Sequence, residues 1–235
     1  MIGSVAERVE RAVAAIYPDI VERMAHQPAL SADEPGLWYE LSCCVLSSQV
    51  PFDLARAAAE RIHQHGILCD AYSPTETESA LRDILQGLFV VEGKMRKYRF
   101  PSSKSAQLSE IKNNVVRDFG SLSKAMSSFS NAEDLRRWLV LHAPGLGPKQ
   151  ASMLLRNTGT TYEMAILDRH ILTYMHIIGI LPTNEPANSY SKYQALEQKL
   201  KLHADALGYS LGHFDWAIWI VMRVLNRQEA NRPIS

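Results

Sequence analysis

Apolar residues recur three and four positions apart along nearly the whole chain, and convincing alternating runs are missing. That spacing predicts helices at about 4–25, 36–48, 52–66, 74–87, 103–118, 121–128, 132–142, 148–158, 168–178, 190–207 and 211–227, with ends good to a few residues. Breakers fall between them: Pro51, Pro74, Pro101, Pro144 and the run Pro182-Thr183-Asn184-Glu185-Pro186. No internal repeat or low-complexity tract interrupts the series. The fold class read from the pattern is all-α.

At 235 residues, 46% hydrophobic and 21% charged, the chain can fill a sizeable core, as one large domain or as two smaller ones sharing a cleft. Such a composition argues against disorder. No run reaches the roughly 18 apolar residues of a membrane span. The start, Met1-Ile2-Gly3-Ser4-Val5-Ala6-Glu7-Arg8, lacks the uninterrupted apolar core of a signal peptide. The expected location is the cytoplasm, with no membrane partner. Three cysteines, Cys43, Cys44 and Cys69, make no disulfide framework, and the vicinal pair suits small buried residues in a reducing compartment.

Net charge is zero, but it is unevenly spread. Between positions 94 and 117 the basic residues Lys94, Arg96, Lys97, Arg99, Lys104, Lys112 and Arg117 meet Glu110 alone, with Tyr98 and Phe100 interleaved. Charge by itself allows a solvated surface balanced by Glu76, Glu78 and Asp83, or a stripe that faces phosphates.

The most specific local pattern is Pro144-Gly145-Leu146-Gly147-Pro148-Lys149, between two helical runs. Glycine permits a tight reversal, and Pro148 suits a first helical position because its missing N–H would be unpaired there. The helix start that follows offers free N–H groups to a phosphate. A lysine in that first turn opposes the helix macrodipole. The misfit points to a low-pKa amine, and a neutral amine is a nucleophile. Downstream, Asp168 in Ile166-Leu167-Asp168-Arg169-His170 stands where a helix starting at Arg169 needs an N-cap.

The run Leu141-His142-Ala143-Pro144-Gly145-Leu146-Gly147-Pro148-Lys149-Gln150-Ala151 resembles the helix-hairpin-helix element of the DNA glycosylase superfamily in which a Gly/Pro-rich loop and an aspartate follow that element. Lys149-Gln150-Ala151-Ser152-Met153-Leu154-Leu155-Arg156-Asn157, with Ala165-Ile166-Leu167-Asp168-Arg169-His170-Ile171, is most similar to the second, archaeal-type class of 8-oxoguanine DNA glycosylases. Upstream, Leu41-Ser42-Cys43-Cys44-Val45-Leu46-Ser47-Ser48-Gln49 is similar to the helix ending in Leu-Ser-x-Gln in those enzymes. The resemblance runs, unevenly, from Leu37 to Arg223.

The resemblance implies two helical lobes: a central bundle over 37–142, and a second lobe from 1–36 plus 143–235 that carries the hairpin (132–158) at the mouth of a cleft. It implies that Lys149 attacks C1′ of the nucleotide to form a Schiff base, that β-elimination then nicks the strand, and that Asp168 is the catalytic carboxylate. Gly145 and Gly147 would shape the phosphate-binding turn. Gln49, at the corner before Pro51, would fill the gap left when the damaged base swings out. With the hairpin beside it, the basic stripe with Lys97 and Arg99 reads as facing phosphates, and His170 as leaning toward a phosphate or satisfying a buried carbonyl. The last helix would line the base pocket, with either Phe214 or Trp216 stacking on the base, Asp215 near its polar edge and the other aromatics in the core. The implied partner is duplex DNA bearing a damaged base, bound by a monomer that would be nucleoid-associated in a prokaryote. No cofactor or metal is expected for the chemistry, because three cysteines cannot supply the four-cysteine iron–sulfur loop of the endonuclease III branch. A monovalent cation on a hairpin carbonyl is a family feature.

Residues 224–235 continue past the point where the resembled class ends, which leaves another modified base open as substrate. A catalytically silent DNA-binding module is the rival from a different class. The presence of both Lys149 and Asp168 speaks against it.

Overall fold

The computed structural model describes residues 4–26 and 33–230, with side chains as far as Leu225. It divides into two compact units, Met1–Pro28 with Thr161–Ser235, and Ala29–Thr160. Among the described residues there are eleven helices and one two-stranded ribbon.

The Ala29–Thr160 unit contains α2 (Glu34–Leu46), α3 (Phe52–Gln64), α4 (Pro74–Gln86), β1 (Leu88–Val91), β2 (Lys94–Lys97), α5 (Pro101–Phe119), α6 (Leu122–Ser127), α7 (Ala132–His142) and α8 (Pro148–Asn157). Its axis is α2, apolar on nearly every side from Leu37 to Leu46 and packed against α3, α5, α6 and α8. A helix that is apolar all round must be surrounded. Asp33 caps its start by accepting from the Gly36 N–H at 3.0 Å. Glu34 reaches the start of α6, where it accepts from the N–H groups of Leu122 and Ser123 at 2.7 and 2.8 Å. Burial raises the Glu34 pKa, but these bonds and those from the Ser123 hydroxyl and Trp38 outweigh it, and the carboxyl ends below its ordinary value.

The other unit holds α1 (Val5–Ala25), α9 (Arg169–Ile177), α10 (Tyr190–Ala206) and α11 (Leu211–Ala230). Its core joins Val9, Val13 and Ile20 of α1 to Tyr174, Leu200, Phe214, Ala217 and Ile218. Ser4 and Glu7 form a capping box at the start of α1.

Two details go beyond the helix pattern. Residues 88–97 form an antiparallel ribbon, with Phe89 opposite Arg96 and Val90 opposite Met95. Glu92 and Gly93 have φ values of 50° and 73°, the left-handed pair that a type I′ hairpin turn requires. Strands of four residues are too short to establish an alternation, and Phe89 alone is buried, beneath the Arg61 guanidinium at 4.1 Å. The boundary between units falls after Thr160, where 142 was expected. The hairpin belongs with the central bundle because α8 buries Ala151, Leu154 and Leu155 and packs against α7 and α2. Asn157 also donates to Glu40 of α2 at 3.2 Å.

Candidate functional site

The hairpin turn begins where α7 runs out of hydrogen-bond partners. Asn114 of α5 donates to the His142 carbonyl at 2.8 Å, satisfying one of the open acceptors at the helix end. The Leu146 N–H then donates to the Ala143 carbonyl at 3.0 Å, closing a β-turn with Pro144 and Gly145 at its centre. Gly145 has φ 89°, and Pro followed by a left-handed Gly is the signature of a type II turn. A Cβ at Gly145 would also stand 2.4 Å from Gln107 Oε1. The Gln107 side chain can swing away, so the backbone decides. Gly145→Ala is expected to destabilise by about 1–2 kcal/mol, read as a fall of a few degrees in thermal midpoint at unchanged far-UV circular dichroism.

Gly147 is the N-cap of α8, Pro148 its first residue and Lys149 its second, and no side chain caps this end. The first-turn N–H groups are therefore available to an anion, and Lys149 stands beside them, half-buried. The hairpin helices are fastened by a residue that sequence reasoning missed. Arg136 of α7 is 1% exposed and donates through Nη1 to Ser152 of α8 at 2.9 Å while pairing with Glu133. Its placement three residues before buried Leu139 was the available signal, obscured by its neighbour Arg137.

Lys149 also lies within electrostatic reach of α2. Burial holds the Cys44 thiol well above its ordinary pKa, and the positive charges of Lys149 and Arg156 act against that rise. Cys44 is thus an inert core thiol close to the lysine. Past the end of α2, Gln49 is exposed with φ 59°, whereas Val50 is buried. A non-glycine residue held in the left-handed region costs about 1 kcal/mol or more, and such strain concentrates at functional positions.

The basic stripe is shorter than its sequence suggests. Lys94, Arg96, Lys97 and Arg99 are exposed on β2 and just beyond it. Lys112 is buried and donates to the carbonyls of Ile67 and Asp70 at 2.9 and 2.6 Å, and Lys104 is buried too. Burial lowers the pKa of both amines. Arg117 pairs with Asp118 at 2.7 Å. Tyr98 is no stacking platform, because it is buried with its hydroxyl on the Leu46 carbonyl at 2.8 Å.

In the Thr161–Ser235 segment, Asp168 is the N-cap of α9. Oδ1 alone accepts the N–H groups of His170 and Ile171, at 2.7 and 3.1 Å, so capping leaves Oδ2 unused. His170 is buried edge-on to Trp219, with ring centroids 6.4 Å apart, and presents little surface to a phosphate. Phe214 is 1% exposed in the core, against Tyr174, His203 and Tyr209. Asp215 is buried and its Oδ2 accepts from the Ile166 N–H at 3.3 Å. Trp216 and Trp219 remain partly exposed, and Arg223 lies 4.7 Å over the Trp219 ring.

Lys149 and Asp168, carried by different units, both fall inside residues 22–209, which match the family model described as 8-oxoguanine DNA glycosylase. A relative from Saccharolobus solfataricus named 8-oxoguanine DNA glycosylase/AP lyase is 30% identical over 203 residues, 85% of this chain and 89% of its own length. The crystal structure of the 8-oxoguanine DNA glycosylase of Thermotoga maritima aligns with a TM-score of 0.67 at 26% identity, covering 92% of this chain and 94% of that one. The Methanocaldococcus jannaschii 8-oxoguanine glycosylase/lyase in complex with a 15mer DNA containing 8-oxoguanine shares the fold, with a TM-score of 0.67 at 22% identity over 92% of this chain and 95% of that one. With hairpin, lysine and capping aspartate all lying within the matched span, the chain belongs to the helix-hairpin-helix family of 8-oxoguanine DNA glycosylases.

Proposed function

We propose that the protein excises 8-oxoguanine from duplex DNA and then cuts the abasic strand. The observation that carries this reading is the coincidence of the family match over 22–209 with a lysine at the uncapped start of α8. Excision builds positive charge on the sugar and opens C1′ to attack. The Lys149 amine supplies the nucleophile and becomes an imine, and Asp168 Oδ2 stabilises the developing cation. Gly145 and Gly147 let the backbone approach a phosphate at the α8 N-terminus, and Gln49, exposed and backbone-strained, fills the vacated stack. Partly exposed Trp216 remains the base-facing candidate among the three α11 residues. The residues require no cofactor for these steps. A monovalent cation at the turn would rest on hairpin carbonyls and would supply positive charge toward a phosphate.

Single-turnover assays on duplexes carrying different single lesions test the substrate. The 8-oxoguanine duplex is expected to release its base and be nicked; excision of another lesion with none from 8-oxoguanine would overturn the assignment. The exposed Lys97 and Arg99 are expected to bind backbone. Their joint change to Ala should weaken damaged and undamaged duplex alike and flatten the log–log salt dependence by about 0.9 for each phosphate no longer neutralised. Weakening confined to damaged duplex would place them at the base instead.

A further inference from the structure

The segment before Asp168 is irregular, yet Met164, Ala165, Ile166 and Leu167 are all buried. Buried backbone outside a helix or sheet needs partners for its N–H groups. Here side chains provide them one after another. The Ala165 N–H donates to Glu197 Oε1 at 2.9 Å, the Ile166 N–H to Asp215 Oδ2 at 3.3 Å, and the Leu167 N–H to the Tyr193 hydroxyl at 3.0 Å. The same hydroxyl donates to the Ala165 carbonyl at 2.7 Å, so one group bridges both ends of the turn. The Asp168 N–H closes onto the Ile166 carbonyl at 2.7 Å.

The donors and acceptors are arranged by helix geometry. Tyr193, Glu197 and Lys201 are spaced by four on α10 and so share one face. Lys201 pairs with Glu163 at 3.5 Å, extending the contact two positions toward the start of the segment. From α11, Gly212 donates its N–H to the Tyr162 carbonyl at 2.8 Å, and a Cβ there would meet that oxygen at 2.6 Å. The segment is thus clamped along 162–167, immediately ahead of the carboxylate.

We propose that Tyr193, Glu197 and Asp215 are positioning residues that hold 165–167 in one conformation and thereby aim Asp168. This rests on the catalytic reading of Asp168. Capping fixes Oδ1 relative to α9, and the clamp fixes the backbone that enters the cap, which together set where Oδ2 points. A displacement of about 1 Å in a catalytic group costs up to about 100-fold in rate.

Tyr193→Phe keeps the ring in the core and removes only the bridging hydroxyl. In single-turnover excision with saturating enzyme, its rate constant is expected to fall about 10- to 100-fold, with unchanged reaction amplitude and unchanged affinity for lesion duplex. A hydroxyl that serves stability alone would instead lower the thermal midpoint and leave the rate constant intact, which overturns the proposal. Glu197→Gln retains a carbonyl acceptor for Ala165 and should keep the wild-type rate constant, whereas Glu197→Leu should lose rate as Tyr193→Phe does. Equal rates for Gln and Leu would also overturn it. Asp168→Asn separates the two levels. If that variant excises normally, the reading of Asp168 fails; if it is inactive while Tyr193→Phe is fully active, the clamp alone fails.

Discussion

Lys149→Gln is expected to abolish covalent trapping. An amine that attacks C1′ passes through an imine, and borohydride reduces an imine to a permanent secondary amine. Wild-type protein incubated with borohydride and an 8-oxoguanine duplex should therefore give a protein–DNA adduct, and an abasic duplex should trap as well. Gln preserves length and polarity at the second position of α8 but has no nucleophilic amine. Its adduct should fall to background, and excision should drop by about three orders of magnitude or more. Lesion-duplex affinity should survive, because the backbone N–H groups of the α8 start are unaltered. Other surface amines react slowly with abasic sites, so the Gln variant is also the control for that background. Equal trapping by both proteins would remove this lysine from the mechanism, and base release by wild type without any adduct would make water the nucleophile.

The second large effect is expected at Asp168. Its two oxygens have different tasks, since Oδ1 takes both N–H groups at the start of α9. Asn caps a helix about as well as Asp, so Asp168→Asn should shift stability by no more than a few tenths of a kcal/mol. On the proposed mechanism it removes the negative charge that stabilises a cationic transition state, a loss of about 100- to 1000-fold in rate for a well-placed electrostatic group. The variant should therefore bind lesion duplex, melt normally and excise slowly. A stable Asn variant with wild-type excision would reduce Asp168 to a cap.

All eleven helices among the described residues are present where the spacing predicts them, because helix formation depends on neighbours three and four residues away and on local punctuation such as Ser4, Asp33 and Pro148. The ribbon at 88–97 escaped that reading. Its only strong mark is the Glu92-Gly93 turn, and its single inward residue, Phe89, is buried by Arg61 from a helix far upstream.

Local pattern also marked out the hairpin turn, the uncapped N-terminus of α8 with Lys149, and the capping role of Asp168, since each is a property of a few consecutive residues. Tertiary structure decided what those residues could not. Lys112 reads as one more surface cation until the orphan carbonyls of Ile67 and Asp70 draw it inside. Phe214 and Trp216 are two residues apart on α11, yet the packing of α9, α10 and α11 buries the first and leaves the second partly open. Asp215 is read from the chain as a polar side chain on an apolar helix, and only the fold shows that its carboxylate holds the Ile166 N–H. The physical reason is common to all of them. Periodicity reports which side of a helix turns inward, whereas the partner that a buried polar group finds there comes from elements distant in the chain.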